Sequence, residues 1–89
     1  MGTAFVTIKV MPDSPSSDLD LITKDSEKII EKHQGKMIKT ETQPVAFGLK
    51  AILLVFSINE NLELDPIEQD IQKITSVSSA SVTDMRRSM

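Results

Sequence analysis

The chain has no cysteine, no tryptophan and no tyrosine, and only one histidine; phenylalanine supplies its whole 3% of aromatic residues. Without thiols neither a disulfide framework nor a thiolate metal site can be built, which fits a reducing cytosol. One imidazole leaves little from which to pair a nucleophile with a base, and no serine stands in a strained elbow motif. No GxxxxGK stretch exists to cradle a phosphate, so direct nucleotide binding is not expected. The first loop, MPDSPSS, lacks the Arg and Gly that an acylphosphatase-like site would require. A basic surplus is missing too: the net charge of -3 argues against broad nucleic-acid binding, because phosphate neutralisation needs a basic face. The longest apolar run falls well short of the roughly 20 residues of a membrane helix. The opening MGTAFVTIKVMPDS shows no basic flank and no small-residue cleavage site, so no signal peptide is expected. These absences describe a cytoplasmic protein with no membrane association, no metal and no cofactor, and no residues to nominate for covalent catalysis.

What is present is globular: 39% hydrophobic and 26% charged residues in 89, enough for one domain, residues 1–89, and no second core. Thr3 to Met11 alternates, with Ala4, Val6, Ile8 and Val10 on one face, and predicts a strand with a buried side. MPDSPSS reads as a loop. Ser17 and Asp20 have capping-box spacing, Leu19, Ile22, Ser26 and Ile29 recur at helical intervals, and Gly35 suits a left-handed C-terminal cap, which predicts a helix from about Asp18 to Gln34. Lys36 to Thr42 is mixed and charged, as an edge strand tolerates.

Phe47 to Ile58 is apolar except at Gly48, Lys50 and Ser57, and reads as a central strand with Ile52, Leu54, Phe56 and Ile58 toward the core. Asp65 as N-cap, Pro66 behind it and Glu68 three residues after the cap announce a second helix, striped by Ile67, Ile71 and Ile74 and ending near Thr75. Ala80 and Val82 then alternate in a short last strand, again an edge. The order strand, helix, strand, strand, helix, strand predicts an α+β, ferredoxin-like split βαβ fold (βαββαβ): a four-stranded antiparallel sheet with two helices on one face. Its two inner strands are the two most apolar ones, so pattern and topology agree.

Chemistry-bearing residues are few, and most have plain structural readings. His33 falls in the last turn of the first helix, where an imidazole suits the helix C-terminus. Asp18 and Asp20 fall in its first turn, where carboxylates complement the dipole. The less ordinary stretch is QPVAFGLK. Pro44 pushes Gln43 into extended geometry, Gly48 takes a backbone angle other residues avoid or admits a close neighbour, and Phe47 stands between them with the parity of the non-core face. Phe5, Leu53 and Val55 enlarge that outer face. Arg86 and Arg87 close the chain as a solvated basic terminus.

QPVAFGLKAI in the middle, TIKVMP near the start and VTDMRRSM at the end, in this order and spacing, resemble the elongation factor 1-beta family in its short archaeal form. The resemblance covers the whole chain. It implies a guanine-nucleotide exchange factor for translation elongation factor 1-alpha, on a ferredoxin-like fold. In eukaryotic relatives the loop equivalent to PVAFG lies against the GTPase, and a basic residue near the C-terminus reaches the magnesium and phosphate region. The position matching that residue is Arg87, a planar fork where those relatives carry the compact charge of lysine, with Arg86 beside it. The implied partner surface is Pro44, Val45, Ala46, Phe47, Gly48, Lys50, Arg86 and Arg87, with Phe47 as a wedge and Lys50 and Arg87 at its rim. Two other classes share the topology: an RNA-recognition motif stacking bases on Phe5 and Phe47, disfavoured by few aromatics and negative charge, and a small-ligand regulatory dimer.

Overall fold

A computed structural model describes residues 2–87. Strand β1 (Thr3–Pro12), helix α1 (Leu19–Lys32), β2 (Lys36–Pro44), β3 (Lys50–Asn59), α2 (Asp65–Gln72) and β4 (Val77–Arg87) follow in the expected order. They form one antiparallel sheet, β2-β3-β1-β4, with the two apolar strands inside. Ala4, Val6, Ile8 and Val10 of β1 and Ile52, Leu54, Phe56 and Ile58 of β3 share a face and are all buried. Against that face α1 sets Ile22 and Ile30 and α2 sets Ile67 and Ile71, closing one core under both helices. At roughly 1.5 to 3 kcal/mol for each large buried side chain, this cluster supplies the main driving force for folding.

Four local expectations need correction. Asp18, not Ser17, caps α1: its carboxylate accepts the Leu21 N–H at 3.1 Å, while the Ser17 hydroxyl donates to Asp13. At the other end of α1 the left-handed residue is Gln34 (φ 69°), one position before Gly35. Gly35 N–H reaches Ile30 C=O and Gln34 N–H reaches Glu31 C=O, a Schellman closure. Gly35 is needed there for room, since a Cβ on it would lie 2.6 Å from Ile30 Cγ2. Asp65 is the first residue of α2, its N-cap Leu64 has helical angles, and the helix stops at Gln72. The last strand is not short: it runs eleven residues from Val77 and includes both arginines. β1 extends far enough to pair with them, Phe5 opposite Arg86 and Ala4 opposite Arg87, so they are not a loose terminus.

Candidate functional site

The β2–β3 hairpin ends in a tight turn over Ala46–Gly48, so β3 begins at Lys50 and Phe47 sits on the tip, not in the strand. Pro44 is the last paired residue of β2, opposite Lys50. Val45 N–H donates to Leu49 C=O at 2.9 Å and Leu49 N–H to Ala46 C=O at 3.3 Å, which closes the loop on itself. Phe47 (φ 63°, ψ 28°) and Gly48 (φ 74°) are left-handed in succession, the sign a type I′ hairpin turn demands. Gly48 therefore takes the unusual backbone angle, and no close neighbour, since a Cβ there would meet nothing within 4 Å. A phenylalanine in this region is strained. The turn holds the Phe47 ring 93% exposed, the most exposed large apolar side chain described.

The two arginines are elsewhere. Arg87 is level with Ala4, which is level with Ile58 on β3, whereas the tip adjoins Lys50. From residue 50 to residue 58 the sheet extends roughly 26 Å at about 3.3 Å per residue. The structure thus brings Pro44, Val45, Ala46, Phe47, Gly48 and Lys50 together at one end and places Arg86 and Arg87 at the other. Arg87 does not rim the Phe47 wedge.

A bulge decides which side of the sheet each arginine takes. Thr7 pairs with Asp84 and Ile8 with Val82, leaving Thr83 as an extra residue in β4. Because directly opposed residues share a face, Arg86 stands with Phe5 on the open side of the sheet and Arg87 with Ala4 on the helix side. The Arg86 guanidinium meets the Asp84 carboxylate at 3.2 Å. Arg87 forms no ion pair among the described residues.

The open side carries a groove of about 570 Å³ that sequence reasoning reached only in part, through Phe5, Leu53 and Val55. Thr7 completes its floor. The edge strands wall it with two ion pairs, Lys39–Glu41 on β2 and Asp84–Arg86 on β4.

The remaining chemical candidates are structural. His33 terminates α1, and its Nε2 lies 3.0 Å from Asp70 Oδ2 of α2, tying the two helices together. The hydrogen bond from His33 holds the Asp70 carboxyl below its usual range. Asp18 is spent on its cap. Among the described residues no three His, Asp or Glu side chains converge to hold a metal, and no helix is long and apolar enough to cross a membrane.

This topology defines the ferredoxin-like class, and solved structures agree. Ribosomal protein S6 of Thermotoga maritima superposes with a TM-score of 0.67 over 99% of this chain and 89% of its own, at 14% identity. The ACT domain of a Chlorobium tepidum GTP pyrophosphokinase gives 0.62 over 89% and 96%, at 11% identity. Identity so low speaks to fold alone. Sequence comparison is more specific: the profile of the EF-1 guanine nucleotide exchange domain matches residues 5–87. The chain is 34% identical to elongation factor 1-beta of Methanobrevibacter smithii, with both proteins covered in full. To elongation factor 1-beta of Saccharolobus solfataricus it is 38% identical over 98% of its own length and 97% of that protein's. The chain belongs to the EF-1 guanine nucleotide exchange domain family.

Proposed function

We propose that this protein accelerates release of GDP from elongation factor 1-alpha by touching the GTPase at two separated places, with the Phe47 tip and with Arg87. The observation that carries this reading is the strained turn, which holds an aromatic ring almost wholly in water where burial would have stabilised it. Strain of this kind persists where function uses it. A partner pocket that takes the ring recovers the burial, and the turn delivers it already ordered, with little further entropy to lose. At the opposite end Arg87 is a cation suited to a phosphate or to the carboxylates of a magnesium site. Its planar fork binds bidentately where lysine would act as a point charge.

Exchange of this kind needs no acid, base or nucleophile. The factor binds the nucleotide-free GTPase more tightly than the loaded one, and linkage makes the nucleotide leave. Weakening nucleotide a thousandfold takes about 4 kcal/mol of coupling, within reach of a seated ring and one redirected cation. The separation of the two contacts has a mechanical consequence: the partner spans roughly 26 Å of this protein, so one end can anchor while the other acts on the nucleotide.

The test is release of fluorescent GDP from elongation factor 1-alpha. Wild-type protein accelerates it, Phe47→Ala slows it by at least about tenfold, and deletion of residues 86–89 removes most of the acceleration without disturbing the tip. An unchanged rate for Phe47→Ala would remove the ring from the mechanism, and full activity of the truncation would remove the arginines.

A further inference from the structure

Charge is unevenly divided between the two sides of the sheet. Lys9 is opposite Leu53, Lys36 opposite Ser57 and Lys39 opposite Val55, so all three face the open side with Arg86. Glu41 and Asp84 are the carboxylates of that side, and they are engaged by Lys39 and Arg86. Four cations against two carboxylates leave the open face with a surplus of two positive charges in a protein of net charge -3. The rest of the chain, Lys50 and Arg87 included, therefore carries a net charge of -5. Phe5 is 42% exposed on the same face, and Leu53 and Val55 are half-buried beside it.

We infer that the open sheet face is a docking surface, and that its occupant is an acidic segment of the GTPase partner bearing apolar side chains. The inference rests on the exchange-factor reading and extends it. A partner that reaches both the Phe47 tip and the far end of β4 crosses one side of the sheet, and from the open side it meets Arg86 directly and Arg87 around the exposed β4 edge. The other side is covered by α1 and α2 and is the negative one. The open side runs continuously from the β2–β3 hairpin to Arg86, which lines the groove and adjoins Arg87 in the chain. Lys9 and Lys36, which make no ion pair among the described residues, attract carboxylates, and the aliphatic floor takes apolar side chains. A single ring on the floor and two carboxylates in the walls suit a polypeptide and oppose a chain of stacked bases and phosphates.

The test is single-turnover GDP release, titrated with wild-type protein, Lys36→Glu, Lys9→Glu/Lys36→Glu and, on the helix side, Glu27→Lys. The double variant raises the half-saturating concentration about tenfold with a maximal rate within about twofold of wild type, Lys36→Glu moves part of the way, and Glu27→Lys does not weaken binding. Wild-type half-saturation rises with salt, and more steeply than that of the double variant. Lys36→Glu lies on an edge strand and keeps the test usable if the double variant does not fold. Unchanged half-saturation in the variants of a working factor overturns the docking surface and leaves the exchange reading standing. A wild-type protein that releases no GDP overturns both. A single-stranded RNA oligonucleotide that binds wild type and is lost in the double variant overturns the assignment of a polypeptide occupant.

Discussion

At the hairpin tip one residue carries two opposed demands. Phe47 holds φ 63° on a backbone better served by glycine or asparagine, and its ring is not buried in return. Phe47→Gly should relieve the angle while adding chain entropy to the unfolded state, leaving stability within about 1 kcal/mol of wild type, and should slow GDP release as Phe47→Ala does. Urea denaturation beside the release assay checks this. A loss above about 2 kcal/mol would mean that the ring supports the fold instead of a partner. The exposure of this residue was legible, since Pro44 and Gly48 bracket it and parity set it away from the core, although Phe47 was expected to open the central strand and instead sits in the turn before it. Its left-handed angle was not, because a phenylalanine there contradicts every local preference, and only hairpin closure between paired strands enforces it.

Among the elements, β4 departs furthest from its sequence pattern. It is an edge, and an edge strand must shield its outward backbone groups. Helix α2 does this: Glu68 accepts the Val82 N–H at 3.0 Å and Gln72 donates to the Ala80 carbonyl at 2.7 Å. Glu68, expected to act in the cap of its own helix, instead serves a strand. Glu68→Ala should cost about 1 to 2 kcal/mol by leaving a half-buried N–H without an acceptor. Glu68→Gln keeps a carbonyl at that reach and should cost less than half as much. Equal losses in urea titrations would show that the contact is idle. The serines of VSSASV concealed the strand's length, since their polarity reads as loop; on an edge with one wet side they are ordinary strand residues.

For the whole molecule, the helix layer is held to itself by the His33–Asp70 contact, which joins α1 to α2 across 37 positions of chain. The Asp70 carboxyl is depressed because its ionised form accepts the bond from His33, so its contribution to stability is present above the ordinary aspartate range. That contribution is lost as pH falls through the depressed folded value. Asp70→Asn should be less stable than wild type at neutral pH and should converge with it in acid, read from urea midpoints across that range. A gap that stays constant would place the effect outside ionisation. Strand order, the core strands and most of the helix faces were legible in the amino-acid sequence, because burial imposes a period of two on strands and 3.6 on helices; on α1 the expected stripe ended at Ile29, whereas Ile30 is the buried residue. The sequence by itself determined that β1 and β3 are central, that their even-numbered residues form the core, and that a proline and a glycine bracket an exposed ring. Only the tertiary structure decided that the ring and the arginines lie at opposite ends, and which of the two arginines takes the open side. The physical reason is register: one extra residue at Thr83, set by pairing with β1 and clamping by α2, inverts every face beyond it, and no local pattern records which partner a strand will meet.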